Sequence, residues 1–229
     1  MAFRYSPKIV TDGLVLALDA ANHKSYPGSG TTITDLSGNG RNGVLTNGPV
    51  FSTTNLGIIT FDGTNDKILL NNTLDTPFTT QYWTVDIWFN IDSTYASYDA
   101  MLGNGYPFQL YVNAGKIIAY LSSTAGSGTY FLSGMTSTQT ISTETWYHLT
   151  FVRNGTNYYY YINGVLDKSA TSNTNVMAAA NQNAQIGNLW NGSDVYAWDG
   201  DISNVKIYDR PLSVTEALQN YNALKSRFI

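Results

Sequence analysis

The sequence predicts an all-β protein, a two-sheet antiparallel β-sandwich of the jelly-roll type with one short C-terminal helix. Short runs of β-branched and aromatic residues recur along the chain, and turns rich in Gly, Asn and Pro separate them. One stretch, residues 144–169, has the pattern of three strands joined by Asn-Gly turns. The only convincing helix signal lies near the C terminus. Many short strands with a single helix favour a sandwich.

The three-strand pattern comprises residues 146–153, residues 157–162 and a strand that begins at Val165. Each Asn-Gly pair between them can adopt the positive φ values that a tight two-residue hairpin turn requires. Both faces of the first strand are largely apolar, since Leu149 and Phe151 point to one side and Trp146 and Val152 to the other. We therefore expect both faces of this strand to be covered, as in a two-sheet sandwich.

The clearest single strand is residues 83–91, where five apolar residues alternate with Thr, Asp, Trp and Asn. The turn-dense residues 22–49 make a helix unlikely to form there. Ser213 as an N-cap, with Glu216 three residues later, predicts a capping box at the start of the C-terminal helix. The other predicted strands are residues 14–19, 58–61, 67–70, 100–102, 108–112, 116–121, 129–132, 139–141, 184–186 and 200–208.

Composition limits the possible functions. The 229 residues fit one large all-β domain at residues 14–229, after an irregular lead-in at residues 1–13. Charged residues make up 12% of the chain and the net charge is −4, so a nucleic-acid-binding surface is not expected. The absence of cysteine excludes disulfides, thiolate metal sites and a Cys nucleophile.

We find neither a signal-peptide pattern nor a run of membrane-span length, so we expect any export to use another route.

Four stretches together resemble one family. They are W-Y-H-L-T-F-V-R-N-G…Y-Y-Y-I-N-G at residues 146–164, I-I-T-F-D-G-T-N-D-K-I at 58–68, W-T-V-D-I-W-F at 83–89 and W-D-G-D-I-S-N-V-K-I-Y-D-R-P-L-S-V-T-E-A at 198–217. In order and spacing they resemble laminin-G-like, concanavalin A-like lectin domains from about residue 14 to the end. The resemblance implies the sandwich fold and adhesion to glycans.

A narrower resemblance involves residues 12–49, with D-G-L-V-L-A-L-D-A-A-N, S-Y-P-G-S-G, D-L-S-G-N-G and L-T-N-G-P. These segments are similar to parts of tailed-phage structural proteins that carry this domain. The resemblance implies a virion protein, either a capsid decoration or a tail-associated component. Its expected partners are other virion proteins in an oligomeric particle and glycans on host or cell surfaces. A purely structural virion component is the alternative.

The glycan-binding site is expected in residues 188–200, N-L-W-N-G-S-D-V-Y-A-W-D-G. Trp190, Tyr196 and Trp198 would stack on sugar faces. Asn191 and Asp194 would bind sugar hydroxyls. The alternative is that these rings cap an open end of the sandwich.

Calcium is the one cofactor that the resemblance implies, because laminin-G-like domains often hold this ion at the sandwich rim. The candidate ligands are Asp62 and Asp66 in D-G-T-N-D, and Asp199 and Asp201 in W-D-G-D. The alternative is turn chemistry, in which Asp and Asn side chains bond their own backbone.

We predict that the protein is not an enzyme. Retaining glycosidases on this sandwich need two carboxylates about 5 Å apart. The chain has only two glutamates, Glu144 and Glu216, and the capping box engages the second. Asp86 lies on the clearest strand without a second carboxylate, and an all-Asp pair in a polysaccharide-cleaving enzyme is the remaining alternative. His148 is expected to be a packed strand residue hydrogen-bonded to a neighbour.

Overall fold

Two antiparallel sheets pack face to face in the computed structural model, which describes residues 7–92, 98–126, 129–189 and 196–229. The strands within these ranges are β1 (Leu14–Asp19), β2 (Thr32–Ile33), β3 (Gly43–Thr46), β4 (Val50–Ser52), β5 (Ile58–Asp62), β6 (Lys67–Leu70), β7 (Tyr82–Ile91), β8 (Asp99–Gly103), β9 (Phe108–Asn113), β10 (Lys116–Ser122), β11 (Tyr130–Thr136), β12 (Tyr147–Asn154), β13 (Asn157–Ile162), β14 (Val165–Thr171), β15 (Gln185–Ile186) and β16 (Asp199–Tyr208). The helical segments are α1 (Asp75–Phe78), α2 (Val214–Leu224) and the 3-10 turns Thr54–Leu56 and Lys225–Arg227.

Each sheet contains eight strands. The first sheet has the order β14-β13-β12-β7-β16-β5-β4, and β1 also pairs with β16. The second sheet has the order β11-β10-β9-β8-β15-β6-β3-β2. Every pairing among the described strands is antiparallel. The predicted two-sheet antiparallel sandwich with a short C-terminal helix is confirmed.

The core lies between the sheets and follows the two-residue period of the strands. On β7, alternate residues from Trp83 to Ile91 are fully buried in the main apolar cluster. Trp83 makes edge-to-face contacts across the core, with ring centroids 5.8 Å from Phe108 of the second sheet and 5.0 Å from Phe151 of the first. Fully burying one such side chain contributes about 1.5–3 kcal/mol.

The predicted meander of β12, β13 and β14 is confirmed, but its two Asn-Gly turns differ. Asn163 and Gly164 both have positive φ (52° and 76°), as a type I′ turn requires. In the first turn Asn154 is instead the last residue of β12, where it pairs with Asn157. The loop is therefore Gly155 and Thr156, and only Gly155 has positive φ (64°), which is typical of a type II′ turn.

One predicted strand was wrong, and the short strands β2, β3 and β4 were not predicted. Residues 139–141 form no strand, because their backbone bonds elsewhere: the Gln139 N–H donates to Asp167 Oδ1 (2.7 Å) and the Ile141 N–H to the Gly115 carbonyl (2.7 Å). The turn-dense residues 22–49 also contain the short strands β2 and β3, since β3 is drawn into the sheet beside β6.

The C-terminal helix α2 begins with the predicted capping box. The Glu216 N–H donates to Ser213 Oγ (3.3 Å), and the Ser213 N–H donates to Glu216 Oε2 (2.8 Å). The helix covers the outer face of the first sheet, where Tyr221 stacks on Trp88 of β7 at 5.6 Å. The lead-in is tied to the same helix, because the Val10 N–H donates to Asn220 Oδ1 at 2.8 Å. None of the helices in the described ranges has both the length and the hydrophobicity of a bilayer span.

Gly164→Ala is expected to destabilise the fold more than Gly155→Ala. Both glycines have positive φ, so alanine costs about 1–2 kcal/mol of backbone strain at either site. At Gly164 an added Cβ would also lie 2.8 Å from Leu218 Cδ1 and 3.2 Å from Leu218 Cα, whereas nothing lies within 4 Å at Gly155. Because α2 would have to shift, we expect Gly164→Ala to lose about 1–3 kcal/mol more in free energy of unfolding, measured by urea denaturation.

Gly155→Ala is the matched control, since it introduces the same strain without the contact to α2. Equal losses in the two variants would contradict the conclusion that the helix rests on this turn.

Candidate functional site

A buried acid–base cluster lies on the outer face of the first sheet. Asp86 of β7, His148 of β12 and Lys206 of β16 are all buried beneath α2. His148 Nε2 lies 3.0 Å from Asp86 Oδ2, and Lys206 Nζ lies 3.1 Å from Asp86 Oδ1. Thr150 Oγ1 and Asn220 Nδ2 each donate to Asp86 Oδ2 at 3.1 Å. Side chains from β12, β16 and α2 therefore contact one carboxylate of β7.

The charges in this cluster compensate one another. Burial alone would raise the pKa of Asp86, but His148, Lys206 and the hydrogen bond from Asn220 hold that pKa well below its ordinary value. Asp86 and His148 are fully buried beneath α2, whereas Lys206 also lines a cavity of about 300 Å³ together with Leu18 and Leu224. The expectation that His148 is a packed strand residue is confirmed, and its ring approaches the Asp86 carboxylate at 3.0 Å. The cluster joins the helix to the sheet through Asn220.

An accessible pocket lies on the outer face of the second sheet. Its cavity is about 280 Å³, and it is lined by Tyr98, Gln109, Tyr111, Tyr120, Tyr130 and Tyr196. We call this set the tyrosine pocket. The alternation of side chains along the strands creates the tyrosine pocket. Gln109 and Tyr111 of β9 and Tyr120 of β10 point outward, because their neighbours along each strand belong to the main core.

Tyr111 forms the base of the tyrosine pocket. It is buried, and its ring centroid lies 5.2 Å from that of Tyr98, 5.8 Å from Tyr196 and 6.2 Å from Tyr120. Tyr120 in turn lies 4.9 Å from Tyr130. Burial raises the pKa of Tyr111, Tyr120 and Tyr130, so these phenols stay protonated at neutral pH.

Gln109 connects the base and the wall of the tyrosine pocket. Its Nε2 donates to the Tyr130 hydroxyl at 3.1 Å, and its Oε1 accepts a short hydrogen bond from the Tyr111 hydroxyl. Tyr196 is brought to the opposite side because the Ala100 N–H donates to the Tyr196 carbonyl at 2.9 Å. The tyrosine pocket is thus formed by three adjacent strands and by the two segments that precede β8 and β16.

Among the predicted glycan-binding residues, Tyr196 lies in the tyrosine pocket. The prediction that Trp198 stacks on a sugar was wrong. Its ring is fully buried in the main core, where it packs edge-to-face on Phe89 at 5.7 Å and is out of reach of a ligand. Trp190, Asn191 and Asp194 lie outside the described residues.

The strand residues of the tyrosine pocket were missed by the sequence reasoning. Their signal was present in F-Q-L-Y-V and I-I-A-Y-L, where Gln109, Tyr111 and Tyr120 alternate with core residues. What the sequence did not show is that two non-adjacent segments close over the same strands.

Three of the four aspartates proposed for calcium accept hydrogen bonds from protein groups. Asp62 Oδ1 accepts from the Thr64 N–H at 2.9 Å, which is turn chemistry. Asp66 accepts from the Asp62 N–H at 3.1 Å, and burial together with Asp62 raises its pKa. Asp201 accepts from Thr60 Oγ1 at 2.6 Å. Asp199 pairs with Asp62 across β16 and β5.

No three His, Cys, Asp or Glu side chains of the described chain form a group that could hold a metal ion. The calcium site that the resemblance implies stays a prediction, since calcium also takes backbone carbonyl and water oxygens as ligands. One of the two glutamates, Glu216, forms a 2.7 Å ion pair with Arg210. This ion pair and the hydrogen bonds with Ser213 lower the pKa of Glu216 to about 2.

The family follows from a sequence comparison. The model described as the concanavalin A-like lectin/glucanases superfamily matches residues 62–217, which is more than half of the chain. The chain belongs to this superfamily. A comparison with curated protein sequences finds no match.

Solved structures of the superfamily fold agree with the architecture. Domain 4 of AbnA, a GH43 extracellular arabinanase from Geobacillus stearothermophilus in complex with arabinotriose, superposes with a TM-score of 0.63 and 19% identity, covering 91% of this chain and 98% of that one. The binding domain of Paraclostridial Mosquitocidal Protein 1 gives 0.71 and 18%, covering 93% and 52%. A Trypanosoma rangeli sialidase in complex with sialic acid gives 0.71 and 12%, covering 98% and 36%.

The chain therefore spans nearly all of the arabinanase domain, about half of the toxin binding domain and about a third of the sialidase chain. At these identities the similarity shows the fold alone. The same sandwich occurs in glycoside hydrolases and in binding domains, so the superfamily by itself does not distinguish the two activities.

Asp86→Asn is expected to lower the free energy of unfolding by about 3–5 kcal/mol, because Lys206 would remain buried without its counter-charge. The double variant Asp86→Asn, Lys206→Met also removes the Lys206 ammonium, which has no counter-charge in the single variant. It is therefore expected to be more stable than Asp86→Asn alone, as measured by urea denaturation of both variants beside the wild type. A double variant that gains nothing over the single one would show that the ion pair is not what makes Asp86 important.

Proposed function

We propose that this chain is a non-enzymatic glycan-binding domain displayed on a phage particle, and that the tyrosine pocket is its binding site. The observation that carries the proposal is the clustering of five tyrosines and one glutamine around an open cavity of about 280 Å³. Small-molecule sites are typically concave, largely apolar or aromatic, and equipped with a few polar groups. The tyrosine pocket has all three properties.

The chemistry of these side chains suits a sugar ring. A pyranose or furanose presents an apolar C–H face and a rim of hydroxyls. Aromatic rings supply large, rigid apolar surfaces, and tyrosine adds a hydroxyl that both donates and accepts. Gln109 ties Tyr111 and Tyr130 together, so the rings are held in place before the ligand arrives. Such preorganisation reduces the entropic cost of binding.

Several facts favour binding over cleavage. Glycoside hydrolysis needs two carboxylates about 5–10 Å apart across the scissile bond. Among the described residues, the lining of the tyrosine pocket contains no carboxylate. Glu216 is occupied by Arg210 and the capping box, and Asp86 is sealed beneath α2. Among structures with a similar fold, the arabinanase domain is described in complex with arabinotriose, and the part of Paraclostridial Mosquitocidal Protein 1 is described as a binding domain.

The virion setting rests on residues 12–49, whose segments resemble tailed-phage structural proteins. In that setting the expected partners are other virion proteins, and many copies would act together on a host or cell surface. Multivalent display turns weak single-site binding into strong attachment.

Tyr120→Ala and Tyr196→Ala are each expected to weaken glycan binding about tenfold or more, because each removes a ring from the wall of the tyrosine pocket. A glycan array identifies the ligand, and titration calorimetry then measures the dissociation constant of each variant. Tyr82→Ala is the matched control, since Tyr82 is a half-exposed tyrosine of the first sheet outside the tyrosine pocket.

Unchanged affinity in both tyrosine-pocket variants would place the site elsewhere. Release of shorter oligosaccharides from the bound glycan would overturn the non-enzymatic part of the proposal.

The particle assignment is tested separately. We expect an antibody against this chain to label the surface of intact, purified phage particles, and mass spectrometry to detect the chain in them at many copies. Particles that lack the chain would refute the virion role while leaving glycan binding untouched.

A further inference from the structure

We infer that the tyrosine pocket selects neutral sugars and excludes sugars that carry a carboxylate or sulfate. The inference rests on the proposed glycan-binding function and names the class of ligand. It follows from the charges, hydrogen bonds and size of the site.

The described lining of the tyrosine pocket offers no cation to an anionic ligand. The described residues that line the tyrosine pocket include no Lys, Arg or His. Residues 93–97 and 190–195, which adjoin Tyr98 and Tyr196 along the chain, contain none either, and the second segment carries Asp194. Proteins recognise carboxylates and sulfates mainly through Arg or Lys, which supply charge-assisted hydrogen bonds.

The polar groups at the base of the pocket are already engaged with one another. Gln109 Oε1 accepts from the hydroxyls of Tyr111 and Tyr130, and Gln109 Nε2 donates to Tyr130. The remaining lining is aromatic ring surface and phenolic hydroxyl from Tyr98, Tyr120 and Tyr196. A neutral hydroxyl exchanges hydrogen bonds well with phenols, whereas an anion entering this lining loses hydration without gaining a counter-charge.

The phenols add no negative charge of their own. Burial raises the pKa of Tyr111, Tyr120 and Tyr130, so they stay neutral across and well above the physiological range. The discrimination therefore comes from the cost of desolvating the anion and not from repulsion by ionised tyrosines. For this reason it should persist at high salt and change little between pH 6 and pH 9.

The size of the cavity suits a short glycan segment. The volume of about 280 Å³ is just below the range of about 300–1,000 Å³ that is typical of small-molecule sites. One or two sugar rings would occupy the tyrosine pocket, and a carboxylate on either ring would lie against the tyrosines.

The test uses pairs of oligosaccharides that differ only in having hydroxymethyl or carboxylate at C6. Suitable pairs are α-1,4-galactotetraose with α-1,4-tetragalacturonate and β-1,4-mannotetraose with β-1,4-tetramannuronate. Calorimetric titration of the full chain is expected to show at least tenfold tighter binding of the neutral member in any pair that binds, at both 50 mM and 500 mM NaCl.

Two variants at the rim sharpen the test. Tyr196→Lys introduces a cation, and Tyr196→Gln is the matched neutral control that removes the same ring. The ratio of neutral to anionic affinity is expected to fall at least fivefold in the lysine variant relative to the glutamine variant. A ratio that stays unchanged would show that a missing cation is not the cause of the selectivity.

The outcomes separate the two proposals. Binding of a uronate as tightly as its neutral partner overturns the selectivity and leaves glycan binding intact. Failure of every neutral and anionic member to bind overturns the glycan site itself, and the selectivity with it.

Discussion

The structure depends on one constraint, which is that β7 is buried on both of its faces from Trp83 to Ile91. Its inward residues are large and apolar and meet the second sheet in the main core. Its outward residues include Asp86, which would be costly to bury alone. The fold resolves this cost by placing His148 and Lys206 on the two neighbouring strands and closing the cluster with α2. The position of the helix is therefore an electrostatic as well as an apolar requirement.

The two outer faces of the sandwich consequently differ in what they can do. The outer face of the first sheet is occupied by α2 and by aromatic stacking of Tyr221 and Phe228 on Trp88. On the second sheet, Tyr120, Tyr130 and Tyr196 remain partly exposed around a cavity. The tyrosine pocket of the second sheet therefore combines polar groups with open volume, as small-molecule sites do.

Membership of a superfamily with both lectins and glucanases sets the fold but not the chemistry. The chemistry depends on which side chains the scaffold brings to an accessible surface. Here the Asp86 carboxylate is buried beneath α2, and the tyrosine pocket is aromatic and uncharged in its described lining. The fold alone is shared by hydrolases and binding domains, so the side chains at the accessible surface have to distinguish the two activities.

The sequence by itself determined the sandwich, the limits of most strands and the capping box at Ser213, because these depend on short-range alternation, turn residues and caps. It also determined that His148 would be a packed strand residue. It did not reveal the tyrosine pocket, since Tyr111 and Tyr196 are far apart in the chain and meet only when β8 brings their segments together. It placed Trp198 at a binding surface, whereas the tertiary structure buries that ring. Which face of a strand meets solvent is decided by what packs on the other side, and that information is non-local.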